Sequence, residues 1–182
     1  MSRTPLIGLV GLAALVSACT PSLGPPPPGG AGPPPRPVMG AAPPFDAGDF
    51  AWSQRTGRNL IAGRVTYRIG GVRYTCAGSS VVLTPETPWS ARRMTYLYGS
   101  GERAALPADE VRARTPGAPP GDAGPYVKRT TCDDADQFAF GGLADGAWYV
   151  ITIARPVGGA GGTVALMKRV MVRGGRTAPV AL

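Results

Sequence analysis

The chain has 182 residues, carries a formal net charge of +8 at pH 7 and contains no histidine. This length leaves room for one linker and one domain after an N-terminal targeting segment. The missing histidine removes the usual base of Ser-His and Cys-His nucleophiles and disfavours a zinc site. We therefore expect no catalytic residues, no metal and no cofactor.

The first 19 residues have the charged, apolar and small-residue order of a signal peptide and end at a cysteine. Arg3 supplies a positive charge, residues 5–15 are mostly apolar, and the small residues Ser17 and Ala18 precede Cys19. The apolar run is shorter than the ~20 residues that span a bilayer, so cleavage and lipidation at Cys19 are favoured over an uncleaved anchor. The resemblance to bacterial lipoproteins implies a lipid-anchored envelope protein, and the lack of an Asp after the cysteine favours the outer membrane.

Residues 21–44 contain 11 prolines and 5 glycines, with Arg36 as the only charge. This composition cannot form an apolar core and favours polyproline II, a semi-rigid spacer, although a ligand for proline-binding modules is an alternative. We predict a signal peptide over residues 1–18, a lipidated N-terminus and disordered linker over 19–44, and a folded domain over 45–182.

In the folded domain, short apolar runs alternate with Gly and Pro, which is typical of an all-β domain. The pairs Gly70-Gly71 and Gly174-Gly175 are predicted to turn between strands, and the pair Gly141-Gly142 to turn ahead of a central strand buried on both faces. Only residues 108–114 suggest a helix. The predicted strands are 60–69, 72–76, 80–84, 126–131, a short strand around Phe138 and Phe140, 148–153, 167–172 and 179–182.

An ordered pattern of turn residues and large apolar residues follows the second half of the domain. Its positions are Thr131, Asp133, Phe138, Phe140, Leu143, Gly146, Trp148 and Val150. The pattern resembles the carboxypeptidase regulatory-like, or transthyretin-like (prealbumin-like), domains, and the resemblance covers most of residues 58–182. It departs at Asp136, where a turn glycine is usual, and at Trp148, where Tyr is common. Because aspartate tolerates turn geometry, the resemblance still implies a Greek-key antiparallel β-sandwich of about seven strands without catalytic residues.

Two cysteines remain once Cys19 is assigned to lipid. Cys76 and Cys132 favour one disulfide, since an oxidising compartment pairs an even remainder. Two free buried thiols or a metal pair are the alternatives.

Four acidic residues raise the question of a calcium site. The spacing lacks the glycine and the terminal glutamate of an EF-hand loop, so an acidic turn is favoured. These residues are Asp133, Asp134, Asp136 and Asp145.

The segment 89–98 interleaves aromatic rings with guanidinium groups, a mixture that suits a glycan, phosphate or protein partner. The alternative is a loop or edge strand whose aromatic residues pack on the sandwich. Residues 100–125, rich in Pro and Gly, indicate a long loop after it. The candidate partner-binding residues are Trp89, Arg92, Arg93, Tyr96 and Tyr98.

These features predict a noncatalytic envelope lipoprotein whose β-sandwich binds a partner, such as an envelope protein, or stabilises the envelope. A module that binds glycan or anionic lipid headgroups is the alternative, and an envelope hydrolase is the least favoured. The net charge alone would also suit nucleic acid, but export to the envelope argues against that partner.

Overall fold

The computed structural model describes residues 44–159 and 161–182, which lie in one compact unit. The predicted signal peptide, the lipidation site at Cys19 and nearly all of the predicted linker fall outside the described residues. Of the three predicted segments, only the folded domain over 45–182 therefore lies in the part of the chain that the structure describes.

The smaller of two β-sheets has three strands. Its central strand β1 (Asn59–Arg64) pairs with the antiparallel β7 (Gln137–Leu143) on one side and with the parallel β10 (Thr177–Ala181) on the other. The parallel pair departs from the purely antiparallel arrangement that the sequence predicts, because β1 and β10 are joined by nearly the whole domain rather than by a hairpin.

The larger sheet is built around one long strand. It contains β2 (Arg68–Ile69), β3 (Val72–Thr75), β4 (Ser80–Pro85), β5 (Arg103–Pro107), β6 (Lys128–Thr131), β8 (Gly146–Pro156) and β9 (Val164–Val172). Strand β8 pairs with β3 and β4 along one edge and with β9 along the other. The sheet continues from β4 to β6, from β9 to β5 and from β3 to β2.

Apolar side chains from both sheets meet in one core. Ile61 of β1 and Phe140 of β7 lie in the same cluster as Trp148 and Val150 of β8. On the opposite face of β8, Tyr149 lies in a second cluster, so this strand is buried on both sides as predicted. The prediction of an all-β sandwich is confirmed, with ten strands in the described residues rather than about seven.

Two α-helices cover the outer face of the larger sheet. Helix α1 (Pro88–Tyr98) begins at a capping box between Thr87 and Ser90 and ends at Gly99, whose φ is 69°. Helix α2 (Ala108–Arg114) follows β5, and apolar residues of both helices pack against β8 and β9.

The expectation of a loop or edge strand over 89–98 is therefore wrong, and the predicted long loop over 100–125 contains β5 and α2. Short 3-10 helices complete the described elements, at Gly48–Gln54, Thr115–Gly117 and Gly124–Tyr126.

The glycine pairs have different outcomes. Gly70-Gly71 and Gly174-Gly175 have positive φ angles and connect strands as predicted. In contrast, Gly141-Gly142 lies inside β7, next to a register shift against β1, and the chain reverses only after Leu143. The predicted first strand over 60–69 is divided between β1 and β2.

The disulfide between Cys76 and Cys132 is present, with Cα atoms 5.7 Å apart. It joins the residue that follows β3 to the residue that follows β6, and both cysteines are buried. Asp136, next to this bridge, has a φ of 62°, which agrees with the turn geometry expected where the pattern usually has glycine. None of the described helices is both long enough and apolar enough to cross a membrane.

Candidate functional site

The two sheets have unequal widths, which leaves one edge of the sandwich open. The smaller sheet contacts the larger one at β6, through β7, and at β9, through β10. Strand β5 lies beyond β9, so its core-side residues project past the smaller sheet. Arg103, Ala105 and Pro107 pair with the core-side positions of β9 and are exposed.

A groove follows this open edge, and we call it the β5 groove. Its first part, about 400 Å³, is lined by Tyr67, Arg103, Ala105, Leu166, Lys168 and Leu182. Its second part, about 270 Å³, continues along Tyr67 and Ala105 to Tyr74, Ile69, Pro107 and Val164. The first part has the size of a small-ligand cleft, and both parts have its largely apolar lining.

Tyr67 lies where the two parts of the groove meet. It belongs to the connection between β1 and β2, and its carbonyl accepts a hydrogen bond of 3.0 Å from the backbone N–H of Tyr74. The two rings contact edge to face, with centroids 5.3 Å apart. This contact holds the Tyr67 ring against the core while leaving it partly exposed to the groove.

Two cationic side chains stand at one end of the groove. Arg103 and Lys168 occupy paired positions on β5 and β9. The Lys168 Nζ donates a hydrogen bond of 3.2 Å to the carbonyl oxygen of Ala181, which positions its charge beside β10. An aromatic face next to two hydrogen-bond donors can hold a ligand with one apolar side and several hydroxyl or carboxylate oxygens.

The candidate residues in 89–98 do not share one surface, because α1 turns some of them inward. Trp89 is buried, and its Nε1 donates a hydrogen bond of 2.8 Å to the Pro120 carbonyl. The Arg93 guanidinium stacks on the Trp89 ring, 5.5 Å from its centroid, and donates a hydrogen bond of 2.7 Å to the Pro119 carbonyl. Burial also raises the pKa of Tyr98 to about 12.

Only Arg92 and Tyr96 of these five residues face solvent on α1. They are one helical turn apart, and 48% of the surface of Tyr96 is exposed. With Ala91 and Thr95 they line a shallow, open depression. This surface remains a second candidate site, but it contains only two of the five residues that the sequence predicts for it.

The four acidic residues have separate structural roles. Asp136 is buried and accepts a hydrogen bond of 2.8 Å from the backbone N–H of Cys76. Asp133 accepts backbone hydrogen bonds within its own turn, and Asp145 accepts one from the Asn59 amide. Asp134 is exposed. These contacts are those of turns and loop connections, which is the interpretation the sequence favours.

Another charged group lies under the helices rather than in a cleft. Arg169 of β9 forms an ion pair of 2.6 Å with Glu86, and this hydrogen bonding raises the pKa of Arg169. Tyr149 donates a hydrogen bond of 3.2 Å to Glu86, and burial raises the pKa of Tyr149 to about 12. These contacts join Glu86 to β8 and β9 on the outer face of the larger sheet.

Sequence reasoning missed the residues of the β5 groove. The sequence predicts Tyr67 inside a continuous first strand and Arg103 inside a loop. No local signal distinguishes them from other exposed Tyr and Arg residues, because the groove depends on which strand lies at the wider edge of the sandwich.

Comparison with known proteins supports the fold. No family model matches the sequence, and no curated protein matches it. The structure is similar to the crystal structure of a "putative carbohydrate binding protein" from Pseudomonas aeruginosa, with a TM-score of 0.57 and 23% identity over 78% of this chain and 99% of that chain. At this identity the similarity shows a shared β-sandwich fold.

Proposed function

We propose that the chain is a noncatalytic bacterial envelope lipoprotein whose β-sandwich binds carbohydrate in the β5 groove. The observation that carries this proposal is the Tyr67 ring, partly exposed at the middle of an open cleft with Arg103 and Lys168 at one end. The fold shared with a protein named for carbohydrate binding supports the choice of ligand class.

The chemistry of the groove suits a sugar. Sugar rings have an apolar face of C–H groups that packs on an aromatic ring, and equatorial oxygens that accept hydrogen bonds from cationic donors. Arg103 would hold a carboxylate or a pair of neighbouring hydroxyls, since its guanidinium presents parallel N–H groups. The groove therefore favours an acidic sugar unit over a neutral one.

The anchoring part of the proposal rests on the sequence. The small residues before Cys19 and the proline-rich segment that follows it fit a lipid anchor and a spacer. A spacer would allow the β5 groove to reach polymers at a distance from the membrane. Among the described residues, no Asp or Glu side chain lines either part of the β5 groove, whereas glycosidases hydrolyse sugars with a pair of carboxylates, and this supports a binding role over hydrolysis.

Carbohydrate binding can be tested with two matched tyrosine variants. We would measure binding of the chain to peptidoglycan fragments and soluble acidic polysaccharides by titration calorimetry. Tyr67→Ala should weaken binding about 10- to 30-fold, as expected for an aromatic anchor residue. Tyr96→Ala removes an exposed tyrosine from α1 and should leave the affinity unchanged.

The same pair of variants separates the two candidate sites. If Tyr96→Ala or Arg92→Ala weakens binding while Tyr67→Ala does not, carbohydrate binds on α1 and the β5 groove is not the site. If no polysaccharide binds the wild-type chain, the carbohydrate proposal fails.

The anchor is tested separately by Cys19→Ala in the producing cells. Wild-type chain should sediment with membranes and take up labelled palmitate, whereas the variant should take up none. Equal labelling of the two would refute lipidation at Cys19.

A further inference from the structure

The outer face of the larger sheet is only partly covered by α1 and α2. Alternate residues of β8 point to this face. Ile151 packs against the cluster beneath the helices, but Ile153, the next residue on this face, is 41% exposed. Val157, in the turn directly after β8, is 46% exposed. Helical cover therefore ends after Ile151.

Four exposed arginines surround these apolar side chains. Arg73 lies opposite Val157, whose backbone N–H donates to the Arg73 carbonyl at 2.8 Å, and Arg68 lies opposite Arg73 on β2. Arg155 follows Ile153 by two residues on β8.

The fourth, Arg129, lies on β6 opposite Val82, which itself lies opposite Ile151. Residues directly opposite one another on paired strands project to the same face, so all four guanidinium groups share this surface. We call these four arginines with Ile153 and Val157 the arginine-aliphatic face.

The positive charge of this face is largely uncompensated. Arg73 forms an ion pair with Asp136 at 3.5 Å. Among the described residues, Arg68, Arg129 and Arg155 form no ion pair. Three exposed guanidinium groups on one flat face create an attractive potential for a surface of negative charges.

We propose that the arginine-aliphatic face binds the headgroups of anionic phospholipids. Arginine suits phosphate because its planar fork donates two parallel hydrogen bonds. The exposed Ile153 and Val157 favour a membrane over a soluble polyanion, because the headgroup boundary also takes up aliphatic side chains. Ile151, Ile153 and Arg155 of β8 point to this face, and among the described residues neither they nor the residues paired with them across the strands have an aromatic ring on which a sugar could stack. This surface lies on the outer side of the sheet, whereas the β5 groove opens on the core side, so the inference is independent of carbohydrate binding.

The test uses residues 20–182, which contain every described residue and the whole core but not Cys19. Binding is measured by co-sedimentation with vesicles of phosphatidylglycerol mixed with phosphatidylcholine, and with vesicles of phosphatidylcholine alone. Each arginine near an anionic surface contributes roughly five-fold to partitioning, so Arg129→Gln with Arg155→Gln should lower it about 25-fold. Added salt should also weaken it, since screening reduces the attraction between exposed charges.

Matched variants separate the surface from net charge. Arg92→Gln with Arg173→Gln removes the same charge from α1 and from the chain after β9, and should retain most of the partitioning. Arg129→Lys with Arg155→Lys should also retain most of it, and Ile153→Gln should lower it without lowering the thermal midpoint of unfolding. Tyr67→Ala should leave vesicle binding unchanged, which keeps this test distinct from the carbohydrate test.

Equal partitioning onto phosphatidylcholine alone, or equal losses in the two arginine-to-glutamine pairs, would overturn the proposal. Binding to soluble polygalacturonate that depends on Arg129 and Arg155, with no binding to anionic vesicles, would also overturn it and assign the face to an acidic glycan.

Discussion

Gly63 lies on the core side of β1, directly beneath the ring of Phe138. A Cβ atom added at Gly63 would lie 2.1, 2.3 and 2.8 Å from three carbons of that ring, far inside van der Waals contact. Phe138 is buried in the core, so moving its ring away from Gly63 would cost packing contacts. Gly63→Ala should therefore force the two sheets apart locally or displace the ring from its rotamer.

The expected cost follows from the size of the clash. To reach an ordinary contact, the added Cβ and the nearest carbon of the Phe138 ring would have to move more than 1 Å farther apart. Overpacking of this kind costs about 1–3 kcal/mol. A clash of this size lies in the upper part of that range, about 2–3 kcal/mol, and alanine recovers about 0.5–1 kcal/mol of backbone entropy relative to glycine. The net loss in unfolding free energy should therefore be about 1–2.5 kcal/mol. The measurement is urea unfolding followed by tryptophan fluorescence, under non-reducing conditions.

Gly141→Ala on β7 is the matched control. Its added Cβ would meet only Leu60 at 3.8 Å, an ordinary contact. This variant should be as stable as the wild type or slightly more stable. In addition, Phe138→Leu should cost less in the Gly63→Ala background than alone, because the two sites interact. A Gly63→Ala variant with wild-type stability would refute the packing of Phe138 on Gly63.

Three further predictions concern stability. Burial raises the pKa of Tyr98 from 10.0 to about 12. The stability that depends on the neutral Tyr98 is therefore complete below pH 10 and is lost as the pH rises to about 12. Tyr98→Phe should make the free energy of unfolding in urea less dependent on pH between about 10 and 12. Replacing Cys76 and Cys132 together by Ala should lower the free energy of unfolding by up to about 4 kcal/mol, since the bridge closes a separation of 56 residues, and an unchanged urea midpoint would contradict this. Asp136→Ala should lower the free energy of unfolding by about 2–4 kcal/mol, because it leaves the Cys76 N–H unpaired and places alanine at a φ of 62°. Asp136→Asn should lower it clearly less, as measured by thermal unfolding.

The strands with the clearest local signals were predicted correctly. Phe138 and Phe140 alternate with small residues and enter the core, and the uninterrupted apolar residues from Trp148 form the central strand. The disulfide between Cys76 and Cys132 could be predicted because only two cysteines remained for an oxidising compartment.

Helix α1 was missed although its signals are present. Thr87, Pro88 and Gly99 mark its two ends, and Met94, Leu97 and Tyr98 have the spacing of a buried helical face. The strand-rich context and the aromatic residues favoured an extended structure instead. Consequently, of the five residues predicted to form a surface, only Arg92 and Tyr96 are exposed to solvent.

The sequence by itself determined the class of the fold, the pairing of the cysteines and the turn at Asp136, because alternation, spacing and backbone preference act over short distances along the chain. Only the tertiary structure decided which surfaces are open. The β5 groove exists because one sheet is wider than the other, and the arginine-aliphatic face exists because the helices stop short of the end of β8. Both depend on the distant pairing of strands, and no local pattern of residues encodes where a packed layer ends.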